Sequence, residues 1–159
     1  MSIKTTFRSF TSAVFLLKKT TEIATKARVE NYENKTITTK LDIDQVLSAS
    51  MAQPAFLAFS IELGLKTLLV ESETIKEPRG HRLKELFDKL PDNIKDTIQQ
   101  DVTSRVKNIN FEELLEENSE NFIKWRYFHE TNTLSSNGEF LGNFLVSIHN
   151  YSVNINTKK

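Results

Sequence analysis

The chain has no cysteine. That absence excludes a disulfide framework, a thiolate nucleophile and a Cys-based zinc site, and it suits a reducing cytosol. Only 4 Gly and 3 Pro occur in 159 residues, and the glycines never group into a phosphate-cradling loop. Neither sign of charge dominates: 21 basic and 21 acidic residues cancel, and the pI is about 6.8. The strongly basic balance of a dedicated duplex-binding protein is missing, so any nucleic-acid contact has to be local. His81, His129 and His149 show no metal-ligand spacing, and Thr133 stands where a second His would complete a zinc-binding helix with His129 and Glu130. No metal and no cofactor is expected.

Long hydrophobic runs are also scarce. Near the N-terminus only Ala13 to Leu17 is continuously apolar, flanked by Lys4, Arg8, Lys18 and Lys19, which is too brief for a signal peptide. Ala52 to Val70 approaches the length of a membrane span, but it holds Pro54 near its start and Glu62 and Lys66 in its interior. A buried helix of a soluble, cytoplasmic protein without membrane contact is the expectation. The glycosylation patterns at Asn34-Lys35-Thr36 and Asn150-Tyr151-Ser152 need a secreted context and are set aside.

What the sequence does contain is helical spacing. Phe7, Phe10, Val14 and Leu17 predict a first helix from about Thr5 to near Val29, followed by a connector over Glu30 to Asp44 with a strand-like piece at Ile37 to Leu41. Ser48 or Ser50 can cap the Ala52 to Val70 helix, with Pro54 in its opening turn. Leu83, Leu86, Phe87 and Leu90 line one side of a short helix stopped by Pro91, and Asp92 can cap the next, which carries Ile94, Ile98, Val102 and Val106. Asn110 with Glu113 resembles a capping box opening Phe111 to Glu117. Ser119 can cap a helix carrying Phe122, Ile123, Trp125, Tyr127 and Phe128, and a last helix begins near Asn137 and Gly138 with Leu141, Phe144, Leu145 and Ile148 on its buried face. With no repeat and no long linker, 1–159 reads as one all-α domain: first helix and connector over 1–47, core over 48–153, frayed tail over 154–159. The architecture expected is an antiparallel helical bundle centred on the Ala52 to Val70 helix.

Three groups can carry chemistry. Glu62 and Lys66 lie one turn apart on a helix apolar all round, so both charges sit in or beside the core and require a partner or a task. They form a structural ion pair, complete one with an Arg from another helix, or hold a ligand. His81, after Gly80, either bonds free backbone groups at a helix start or reaches a carboxylate such as Glu62. In the third group Arg126, His129 and Glu130 share a helix face with Phe122, which suits a phosphate with a stacked base. The plainer alternative packs that helix through Trp125 and Phe128 and pairs Arg126 with Glu62 or Glu130. The acidic run Glu112, Glu113, Glu116, Glu117 and Glu120 is most simply a solvated face that repels a nucleic-acid backbone. Gly64 allows close packing.

Phe59 to Lys66, then Gly80 to Phe87, then Phe122 to Tyr127 form an ordered set that resembles the HEPN domain family of small helical proteins. The resemblance covers most of the chain after about Ser48. It implies a bundle of antiparallel helices, usually a homodimer, of the kind found in RNases of toxin and antitoxin pairs, phage-defence proteins and nucleotidyltransferase partners. Family members that cleave RNA follow an Arg and a polar residue with a His at a set interval. Arg126 matches, but Tyr127 holds the polar position, and Thr131, Asn132 and Thr133 hold the places where that His is expected. His129 comes too soon. The resemblance therefore implies a non-catalytic module binding RNA, a nucleotide or a cognate protein partner. Its alternative is an atypical metal-independent RNase using Arg126 and His129.

Overall fold

The computed structural model describes residues 3–34, 43–120, 123–124 and 136–157, with side chains described over 7–22, 53–120, 123–124 and 136–155. The helices are α1 (Ile3–Asn34), α2 (Ile43–Glu71), α3 (Leu83–Asp88), α4 (Asp92–Arg105), α5 (Phe111–Glu117) and α6 (Gly138–Thr157). Among the described residues there is no strand, so the architecture is all-α as expected. The strand-like piece read at Ile37 to Leu41 lies outside the described residues.

At the centre is α2, packed along α1, α6 and α3. Gln53 Nε2 donates to Thr21 Oγ1 at 3.0 Å, and a Cβ built on Gly64 would lie 2.9 Å from Phe10. These contacts run down α2 while running up α1, so the two helices are antiparallel. Gly64 faces Ile148 and Glu71 faces Ser152, so α6 crosses α2 in the same general sense. The spacing that predicted the helices also delivers the core: Phe10, Ile61, Leu65, Leu68, Leu69, Leu83, Leu86, Ile94, Ile98, Val102, Leu115 and Ile148 are all buried. Each such side chain contributes about 1.5–3 kcal/mol when fully withdrawn from water. Phe87, Phe111, Phe140 and Phe144 form a second focus, with ring centroids 5.3 to 5.8 Å apart, which joins α3, α5 and α6.

Several expected boundaries move. α1 reaches Asn34, into the expected connector. α2 starts at Ile43, so Ser48, Ser50 and Pro54 lie inside it and neither serine caps it. Ile43, Val46 and Leu47 extend the helical spacing backward, and packing along α1 outweighs the missing Pro54 N–H, which costs roughly 3 kcal/mol in a helix interior. Pro91, not Asp92, occupies the N-cap of α4, and Asp92 opens the helix paired with Lys95 at 2.8 Å. The expected frayed tail is helical through Thr157. The Asn110 cap is observed, its side chain accepting the Glu113 N–H at 3.3 Å. Asn137 caps α6 by accepting the Phe140 N–H at 2.9 Å.

Gln53–Glu71 is long and apolar enough to cross a membrane, but 56% of that segment is buried inside the bundle, as in the core helix of a soluble protein.

Candidate functional site

The site begins with the two charges of α2. Glu62 is 2% exposed, because its position in the helix turns it toward the packed interior. Lys66, one turn on, donates to Glu62 Oε1 at 2.7 Å. The intrahelical i,i+4 geometry supplies this partner without help from another element.

The third member arrives from outside the helix. Past Glu71 the chain makes a tight exit, with the Thr74 and Ile75 N–H groups both donating to the Leu69 carbonyl at 3.1 Å. Glu73 sits at φ 58 and Gly80 at φ +100. At Gly80 any other residue is strained, since the left-handed backbone crowds a Cβ. This turn carries the chain back along α2, and His81 Nδ1 comes to 3.0 Å from the same Glu62 Oε1. A carboxylate that already takes a Lys66 N–H accepts from the ring as well, which fixes the tautomer with hydrogen on Nδ1. The His81 side chain is 49% exposed while Glu62 is 3% exposed at the side chain. The arrangement is a buried acceptor holding an imidazole at the surface. Glu62 Oε2 is buried without a hydrogen-bond partner among the described residues.

Glu62, Lys66 and His81, each singled out in the sequence, therefore converge on one carboxylate oxygen. Arg126, His129 and Glu130 lie outside the described residues, as do Phe122, Trp125, Tyr127 and Phe128. Among the described residues no three His, Cys, Asp or Glu side chains are grouped to hold a metal ion.

The helix that Ser119 was expected to cap lies mostly outside the described residues, but Ser119 serves another element as well. Its hydroxyl accepts the Lys84 N–H at 2.9 Å and its carbonyl accepts the Leu83 N–H at 3.0 Å. It caps α3, which lacks a side-chain cap of its own at Arg82.

Two charge networks escaped the sequence reading. Arg82 lies within 3.2 Å of Glu85, 3.1 Å of Glu116 and 3.4 Å of Glu120. Lys84 Nζ reaches Asp88 at 2.9 Å and Glu112 at 3.1 Å. The acidic run is thus exposed but partly tied back to α3. The hydrogen bond to Asp88 raises the Lys84 pKa above its usual value despite some desolvation. Elsewhere Asp101 accepts from Ser147 at 2.5 Å and from Arg105 at 2.9 Å, walling an open groove of about 290 Å³ between α4 and α6. Nothing in the spacing of Asp101 and Ser147 announced this pair, because it spans 46 positions.

No family model, curated protein or solved structure matches the chain. The function has to be argued from the site itself and from the resemblance carried by its residues.

Proposed function

We propose that this chain is a HEPN-like helical module that works as a non-catalytic homodimer in the cytoplasm, binding RNA in a defence or toxin and antitoxin setting. The observation that carries the reading is the convergence of Lys66 and His81 on Glu62, because these are residues on which the resemblance rests. In this reading Glu62 and Lys66 hold α2 in register with the His81 turn, and Arg126 lines the ligand cleft. The incomplete Arg-to-His interval around Arg126, with Tyr127 and Thr131 in place, favours binding over cleavage.

The test incubates the purified chain with mixed cellular RNA in EDTA beside Arg126→Ala and His129→Ala, circular dichroism reporting that all three are folded. Retention of intact RNA by the parent, weakened in Arg126→Ala, supports the module. Cleavage by the parent that both variants lose assigns Arg126 and His129 to an RNase instead. Absence of RNA retention redirects the reading to a nucleotide or a protein partner. A monomer in light scattering at micromolar concentration overturns the dimer.

A further inference from the structure

We infer that the outward stripe of α1 is a docking surface for single-stranded RNA, with Phe15 stacking on a base while Arg8 and Lys18 take phosphates. This rests on the RNA-binding reading and assigns a surface that the Glu62 cluster does not supply. The inward face of α1 is spent on the core through Phe10 and Ala13, both buried. Phe15 is nevertheless 58% exposed and Leu16 50% exposed. Arg8, Phe15 and Lys19 follow one another at intervals of 7 and 4 residues on this helix, which places all three on one side of it.

The cations on this stripe are available. Arg8 on the stripe and Lys18 at its edge, one turn beyond Phe15, are exposed and have no ion-pair partner among the described residues. Lys19 is divided between Glu22 at 2.9 Å and the Phe15 ring, 5.7 Å from its centroid. Among the other described helices α5 carries only acids, with Glu112, Glu113, Glu116 and Glu117 exposed, while α3 and α4 carry both signs. A chain whose formal charges sum to +0 can attract a polyanion only where the two signs are segregated, and over its described side chains α1 carries Arg8, Lys18 and Lys19 against Glu22 alone.

An aromatic ring flanked by unpaired cations is the pattern that binds single strands without reading sequence: every base offers a face to stack and every nucleotide a phosphate to neutralise. An anionic bilayer fits less well. Lying in a membrane interface takes a broad apolar face, and here that face is turned inward, leaving Phe15 and Leu16. A second copy docked symmetrically would set Arg8 and Lys18 close to their own counterparts, which repel.

Fluorescence anisotropy of a labelled oligouridine of about 12 nucleotides, titrated with the full chain at several KCl concentrations, tests the inference. The variants are Phe15→Ala, the pair Arg8→Ala with Lys18→Ala, and Arg126→Ala, each checked for helicity by circular dichroism. Phe15→Ala is expected to weaken binding by at least about fivefold. The double cation variant is expected to lower the slope of log affinity against log salt by about 1.4. Unchanged binding in both α1 variants, with loss only in Arg126→Ala, overturns the α1 surface and leaves the RNA reading standing. Absence of RNA binding by the parent overturns both. Binding of the parent to phosphatidylglycerol vesicles and not to RNA, abolished by the α1 variants, overturns the inference in favour of a lipid surface.

Discussion

The Ser119 hydroxyl accepts the backbone N–H of Lys84 across 35 positions of sequence at 2.9 Å, so the cap of α3 is supplied by the segment that follows α5. A helix of 6 residues cannot stand alone. Its opening amides are satisfied by a neighbour, and α3 is held at both the end near His81 and the face bearing Phe87. Ser119→Ala removes the acceptor while the backbone bond to Leu83 persists. The expected cost is about 1 kcal/mol, read as a fall in Tm of roughly 2–4 °C for a chain of this size. Thermal unfolding followed by circular dichroism checks it; an unchanged midpoint would show that water replaces the hydroxyl at no cost.

Gly64 gives the contact between α2, α1 and α6. A Cβ there would stand 2.6 Å from Ile148 Cγ2 and 2.9 Å from Phe10 Cε2. Alanine gains about 1 kcal/mol of helix propensity over glycine, but overpacking a tight core costs typically 1–3 kcal/mol. Gly64→Ala is therefore expected to destabilise, by about 1 kcal/mol net, in urea unfolding. In an Ile148→Ala background the nearer obstruction is gone and only the Phe10 ring remains, so the same substitution should cost less than in the parent. Equal effects in both backgrounds would rule out the clash with Ile148 as the cause.

These contacts mark the limit of what the sequence revealed. The periodicity of Leu83, Leu86 and Phe87, of Ile94, Ile98 and Val102, and of Leu141, Phe144 and Ile148 anticipated the helices and their buried faces, because apolar spacing is a local property. Glu62 with Lys66 was legible for the same reason. His81 reaching Glu62 is legible too, because a buried carboxylate calls for donors. Helix ends were less legible. Ser48 and Ser50 read as caps because a serine before an apolar run is the local signal, yet packing along α1 carries α2 through them and through Pro54. Ser119, Asp101 with Ser147, and Arg82 with Glu116 belong to partners that only the folded chain brings together.

The pH dependence of the α3 and α5 contact follows from Lys84. Its pKa is raised above the usual 10.5, first by the hydrogen bond to Asp88 and then by Glu112. A cation with a raised folded pKa contributes stability that is fully present below 10.5 and is lost as pH rises through the higher folded value. The pairs are partly exposed, so the contribution is small, about 0.5 kcal/mol. Lys84→Met should therefore be less stable than the parent in urea at pH 8, and the gap should narrow as pH rises above the usual lysine value of 10.5. A gap that stays constant with pH would assign the loss to the packing of the Lys84 stem.

The Glu62 cluster carries the strongest expected effect. Removing one member of a buried pair leaves the other uncompensated in a poorly solvating environment, at a cost of about 3–5 kcal/mol. Glu62→Ala deprives Lys66 and His81 of their shared acceptor and is expected near the lower end, because His81 can turn toward water. Lys66→Met leaves the buried carboxylate, 3% exposed at the side chain, with the His81 donor alone and should cost at least as much as Glu62→Ala, whose stranded Lys66 can reach water. The pair Glu62→Leu with Lys66→Met removes both charges and keeps apolar volume, so its cost should fall well below the sum of the single changes. Urea unfolding of the parent, Glu62→Leu, Lys66→Met and the double variant at pH 7 gives the coupling energy directly. Additivity within about 0.5 kcal/mol would mean that Glu62 and Lys66 do not stabilise one another, and that the short contact between them is incidental to the stability of α2.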